Sequence, residues 1–397
     1  MYPCLYVTGI GIVTGIGIVA GVGALNGTSL ASLYSPADPF AIPVAEDGTA
    51  SELPFDEFKR RLAVLTNALI EPRPGETPNP DRKRFLDRVA GKPEPNSPEA
   101  RALSPREAAA LATDLLRLGK SDKALDLLVP RARRPDYFVL TGLGHVFASR
   151  GDWANALKYH SEERFDLPMP AVVEGLSKPQ RDWWEKLDAG YVDHFYRLRR
   201  RETEGRRNLT PAELDRANET EDVLPLFPLP EAGPSAGTPV RFVNDAGSYE
   251  PGRLAAGERA KLPADAVAVV QQLLLWFPGE TRLYWLLAEL YAAQGDLDAA
   301  VAIFDECAWS RQYGNRKVLM EHRAAVRAAR EARPRPEPQA PTSSGTADQT
   351  PAPEEPPISF TAIGMYFAAV GLIALVALLR AVSRCRRRAG AGCVKFG

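Results

Sequence analysis

Three times along this chain an apolar, helix-forming stretch runs into a glycine, and an alanine follows five residues later: Gly119 and Ala124, Gly151 and Ala156, Gly295 and Ala300. No other feature narrows the fold as much. Glycine just past a helix accepts the left-handed backbone that satisfies the last carbonyls. Alanine one turn into the next helix lets two backbones cross closely. Each pair therefore predicts a helical hairpin, with large apolar or aromatic residues at the packing positions on either side. The first hairpin opens on Ser104-Pro105-Arg106-Glu107. Serine caps, proline sits in the first turn where its missing N–H costs nothing, and glutamate takes the capping-box position.

Counting from 105, 137 and 281, position 8 is Ala112, Gly144 and Ala288, position 11 is Leu115, Phe147 and Tyr291, and position 20 is Ala124, Ala156 and Ala300. This order of small, aromatic and small residues resembles the tetratricopeptide repeat (TPR), a helix-turn-helix unit of about 34 residues. Pro168 falls at position 32 of the second unit. Pro278 ends a degenerate unit whose second helix spans about 264–276. The resemblance covers roughly 105–168 and 262–325. Its first unit departs from the pattern, being two residues short and lacking Trp and Tyr, as a generic α-hairpin would.

The resemblance implies a mainly α fold, an α-solenoid of TPR-like hairpins, that binds a protein or peptide in the groove lined by the first helices and needs no cofactor. Carried over position by position, that groove presents Arg106, Thr113 and Arg117 from the first unit, Phe138, Thr141, His145 and Ser149 from the second, and Arg282, Trp285 and Glu289 from the third. The Lys/Asn carboxylate clamp of chaperone-binding members is absent, so capture of acidic C-terminal tails is not implied. In this register Ala300 meets Ala288 where two helices cross and leaves no room for a larger side chain. Trp285, as a groove residue, is expected to matter more for a partner than for folding.

Two apolar runs add a membrane to the expectation. Ile358 to Leu379 is an uncharged, mostly apolar stretch of 22 residues, and about 20 suffice to cross a hydrocarbon core as a helix. The tail beyond it, 380–397, carries six basic residues and no acid, which marks the cytoplasmic flank. The preceding residues carry a net charge of −7 and belong on the far side. Leu5 to Leu25 repeats a glycine-rich hexad (VTGIGI, VTGIGI, VAGVGA) and reads as either a cleaved leader or a retained membrane helix. Residues 334–357 hold eight prolines and no aromatic, Leu, Ile, Val or Met, too little apolar surface to fold, so they read as an extended stalk.

The expected organisation is thus an N-terminal signal peptide or membrane helix (1–31), helices and Pro-rich linkers (54–98), TPR-like repeats (102–170), a helical and irregular insertion (171–259), further TPR-like repeats (260–333), a disordered stalk (334–357), a transmembrane helix (358–379) and a basic tail (380–397). Within the insertion, 178–203 reads as one long helix, with Trp184, Leu187, Tyr191, His194 and Phe195 on a core-facing stripe. Val240–Val243 reads as a short strand.

Composition weighs against other classes. An acidic body gives no support for nucleic-acid binding. Cys307 is alone in the body, with Cys4, Cys385 and Cys393 beyond the apolar runs, so no disulfide framework forms there. His145, His160, His194 and His322 have no metal-ligand spacing, and His160 falls at a packing position. Nucleophile, Walker and dinucleotide motifs are missing from the folded part. Ala-, Arg-, Pro- and Leu-rich usage points to a bacterial source, and the apolar runs then place the protein in the cell envelope. The resulting expectation is a membrane-anchored, extracytoplasmic interaction scaffold without catalytic activity. Its rivals are a signalling or envelope-assembly component acting through the tail, and an enzyme with its site in 171–259.

Overall fold

The computed structural model describes residue 35 and residues 40–133, 136–167, 169–230 and 237–333. All lie within Met1–Pro334, the first of the two units into which the chain divides. Both apolar runs, the Pro-rich segment 334–357, the basic tail 380–397 and Pro168 lie outside the described residues. Among the described residues, no helix is long and apolar enough to cross a membrane.

Fifteen α-helices are described: α1 (Phe55–Leu69), α2 (Pro80–Val89), α3 (Pro98–Ala102), α4 (Pro105–Arg117), α5 (Ser121–Leu128), α6 (Tyr137–Ser149), α7 (Trp153–Asp166), α8 (Lys178–Leu187), α9 (Asp193–Arg206), α10 (Pro211–Glu219), α11 (Ala256–Arg259), α12 (Ala266–Trp276), α13 (Thr281–Gln294), α14 (Leu297–Ser310) and α15 (Arg316–Glu331). The protein is mainly helical. Val240–Val243 is not a strand: among the described residues the only β pairing is an isolated bridge between Val44 and Ala50. Its flanks, rich in Pro and Gly, offer no second strand to pair with. The stretch read as one helix from 178 is helical but broken in register by a π-turn at Asp188–Val192, between α8 and α9.

The three glycine–alanine pairs share one hydrogen-bond pattern. Gly119, Gly151 and Gly295 all have positive φ. The following N–H reaches back five residues in each case: Lys120 to Leu115 O at 2.8 Å, Asp152 to Phe147 O at 2.9 Å, Asp296 to Tyr291 O at 2.9 Å. Each of these residues then opens the second helix by accepting from Ala124, Ala156 or Ala300. One turn chemistry thus joins α4 to α5, α6 to α7 and α13 to α14, and each pair packs together. The close crossing is visible at Gly144, where an added Cβ would sit 3.3 Å from the Ala156 carbonyl. At Ser104 the capping box is complete.

Ala112, Ala124, Ala288 and Ala300 are all buried. Ala300→Leu is therefore expected to overpack the third hairpin and cost about 1–3 kcal/mol. A thermal melt of the variant checks this, and an unchanged midpoint would remove the register on which the hairpin assignment rests.

The apolar interior falls into two clusters. The smaller is built from α4, α5 and α6 around Leu111, Leu115, Leu127, Leu140 and Leu143. The larger runs through the insertion into the second repeat block, and the segment 40–54, α1, α8 and α9 all contribute to it. The stripe Trp184, Leu187, Tyr191, His194 and Phe195 is buried along its whole length.

Candidate interaction cleft

Of the ten positions expected to line an open groove, only Arg106 is exposed; the other nine are buried. This corrects the expectation, and the reason is that the chain covers its own repeat faces. Arg117 is sandwiched by the rings of Phe40 and Phe85, 4.8 and 5.5 Å from its guanidinium carbon. The segment 40–53 is pinned by two buried glutamines of α12. Gln272 Oε1 accepts from Ile42 N at 3.0 Å, and Gln271 Oε1 accepts from Leu53 N at 2.7 Å.

His145 lies against α9, with its Nδ1 2.6 Å from the Tyr196 hydroxyl. Ser149 Oγ donates to its own helix at Val146 O. On α13, Arg282 reaches Glu202 at 2.6 Å, Asp222 O at 2.5 Å and Glu221 at 3.5 Å. Trp285 Nε1 donates to Glu289 Oε1 at 2.8 Å, and His322 Nδ1 meets the same oxygen at 2.7 Å. A repeat face that binds peptides elsewhere is filled here by the insertion and the N-terminal segment. Sequence spacing marks which face a residue takes, not what lies on that face.

Part of the expected set does converge. Thr113, Phe138 and Thr141 line a small cleft with free space of about 20 Å³, together with Ala109, Tyr137, Gly142, Met169, Val173, Leu176, Trp184, Asp188 and Trp276. Arg106 stands over the Phe138 ring at 5.4 Å. The walls come from α4, α6, α8, the π-turn and α12, so only the folded chain assembles them. Three of the predicted groove residues thus share one site, while Arg282, Trp285 and Glu289 do not belong to it.

Sequence reading missed Asp188, Trp184 and Trp276 as site residues. Asp188 carries no motif, since it enters the cleft through the π-turn, and Trp184 shows only as a core stripe. Its Asp188 Oδ2 accepts from the Tyr137 hydroxyl at 3.2 Å, and the Asp188 backbone carbonyl meets His160 Nε2 at 3.0 Å. His160 is therefore a buried packing residue.

Burial acts on titratable groups of the interior. It holds His145 well below the ordinary imidazole range, with His160 adding to the effect. Burial also lowers His194, and it pushes the Cys307 thiol up to about 12, leaving that sulfur inert. The unfolded imidazole of His145 protonates near 6.5, whereas the native one does so only further down. Between those points the unfolded chain binds more protons, so stability falls as pH falls through 6.5. The expected slope is about 1.4 kcal/mol per pH unit from this residue. Denaturation midpoints between pH 7 and 5, compared with those of His145→Gln, isolate it: the variant should lose this part of the slope. Among the described residues, no group of three or more His, Cys, Asp or Glu is placed to hold a metal ion.

Residues 259–307 match the Tetratricopeptide repeat family. The match starts at the end of α11, takes in α12 and α13 and covers most of α14, so this part of the chain is TPR-like. Neither a curated protein nor a solved structure gives a significant match.

Proposed function

We propose that this protein is an interaction scaffold of TPR-like hairpins, without catalytic activity, that receives a protein partner over the cleft between α4, α6 and α12. The TPR-like match over 259–307 carries this reading, and the cleft is where three of the expected groove residues come together beside exposed Arg106. Stacked hairpins bury a continuous core and leave a surface for a partner. The finer reading adds location: a body outside the cytoplasm, tethered by Ile358–Leu379, with the basic tail inside. Its support is the charge step at Leu379/Arg380 and the positive-inside rule.

A photo-crosslinking residue at Arg106, compared with one at exposed Lys83 on α2, tests the partner surface in cells. A discrete adduct from position 106 that is absent from position 83 supports the scaffold. Identical adducts from both positions would remove it. Reporter fusions test the topology separately: a periplasm-active enzyme at residue 333 and a cytoplasm-active one at 397 should both work, and reversed activity would overturn the orientation.

A further inference from the structure

The segment 40–53 is held as a bound peptide would be, by side chains that bond its main chain. Gln272 Oε1 accepts from Ile42 N at 3.0 Å, and its Nε2 donates to Phe40 O at 3.1 Å. A carbonyl and an N–H two residues apart are the pair that a parallel strand engages. Gln271 Oε1 accepts from Leu53 N at 2.7 Å, and its Nε2 donates to Leu53 O at 3.0 Å. That is the pairing of an antiparallel neighbour. Gln271 Nε2 also donates to the Tyr291 hydroxyl at 2.8 Å, which fixes the amide. Gln180 Nε2 donates to Ile42 O at 3.1 Å and Arg61 Nη1 to Ala41 O at 2.9 Å. Four side chains from α1, α8 and α12 thus take the part of an adjacent strand.

The segment's own anchors are few. Ile42, Ala50 and Leu53 are buried, whereas the loop tip, 45–49, is exposed. The loop closes on itself, Ala45 N to Thr49 O at 2.9 Å and Ser51 N to Pro43 O at 3.0 Å. At one stem Phe40 stands at φ 48°, a left-handed conformation that persists only where the surroundings impose it. At the other, partial burial and then the Asp296 carboxylate hold the Glu52 carboxyl above its ordinary range. Near neutral pH the charged Glu52 therefore opposes docking. Strain at one stem and repulsion at the other favour release.

We propose that residues 40–53 are a releasable strap over a main-chain-reading site on α12, and that an extended peptide of a partner protein, carrying an isoleucine-like anchor, takes the strap's place. Main-chain bonds supply affinity for an extended segment, and the pocket of Ile42 supplies selectivity. Release uncovers two amides and two apolar pockets together, and an extended apolar peptide satisfies both kinds of group. Neither glutamine lines the cleft beside Arg106. The site therefore goes beyond the scaffold reading, and a failed crosslink at Arg106 leaves it untouched.

The test uses the full chain in a maltoside detergent. In hydrogen exchange the Ile42 and Leu53 amides should exchange at least about a hundredfold faster than the interior amides of α12, as a segment that opens without global unfolding does. Equal rates would overturn the strap. A fluorescent peptide of residues 40–55 is then titrated. Ile42→Ala in the full chain weakens the internal ligand and leaves the site intact, so it should bind the peptide about tenfold tighter than the wild type does. N-methylation of the peptide's Ile42 amide removes the hydrogen that Gln272 accepts, and should weaken binding by on the order of tenfold. Gln180→Glu, added to Ile42→Ala, keeps the oxygen that accepts from Ser177 N but loses the donor, and affinity should fall by a similar factor. Should Ile42→Ala fail to fold, the wild type supplies the second arm: excess peptide should speed exchange at Ile42 and Leu53, and the N-methylated peptide should not. Binding indifferent to N-methylation, or no gain from Ile42→Ala in a folded variant, would overturn the site.

Discussion

Trp285→Ala is expected to destabilise the protein by about 3–5 kcal/mol, the opposite of what its position in the repeat suggests. The side chain has no exposed surface and meets the ring of Tyr313 edge-on at 5.6 Å. Its removal opens a cavity in a packed interior. It also takes one donor from Glu289, itself fully buried, leaving His322 as the remaining close partner of that oxygen. A buried carboxylate that loses a donor adds a desolvation cost to the packing loss. Chemical denaturation of Trp285→Ala and Trp285→Phe measures this. Phenylalanine restores most of the volume but not the N–H, so it should fall between the wild type and alanine. An alanine variant with unchanged stability would mean that Trp285 faces a removable partner after all.

Arg282→Ala is expected to cost on the order of 3 kcal/mol. The guanidinium is buried and ties α13 to α9 and to the 221–222 segment through Glu202, Glu221 and the Asp222 carbonyl. Burial alone would raise the Glu202 carboxyl, but Arg282 first and Arg199 second outweigh it and hold it below the ordinary carboxylate range. A carboxyl with a depressed native pKa contributes stability that is present above its unfolded value, 4.5 here, and lost as pH falls through the native one. The gap between wild type and Arg282→Ala should therefore be full near neutrality and should narrow below pH 4.5. A gap that stays constant with pH would show that the loss came from packing and not from the ion pair.

These two residues mark where sequence reasoning stopped. Both take the positions that a first-helix face requires, and both were assigned to an open groove. Nothing in the spacing of α13 reports that Glu202, about eighty residues earlier, will fold back onto it, or that Tyr249 and His322 will stack over the same region at 3.7 Å. Local geometry was far more legible. The left-handed glycines, the alanines one turn into the second helices, and the Ser104 capping box depend on residues within one or two turns of each other. Their hydrogen bonds close inside the same short segment, so residue type and spacing suffice to predict them.

The cleft lies between these extremes. Arg106, Thr113, Phe138 and Thr141 follow from the repeat register, because α4 and α6 are successive first helices. Trp184 and Asp188 reach the site through α8 and a π-turn that the sequence reading took as plain helix, and Trp276 comes from nearly ninety residues further along. The sequence alone determined the hairpins, their turns and the face each side chain takes, because those depend on short-range backbone geometry and periodicity. The tertiary structure decided which of those faces stays open, because the insertion and the N-terminal segment bury most of them through contacts between residues far apart in the chain.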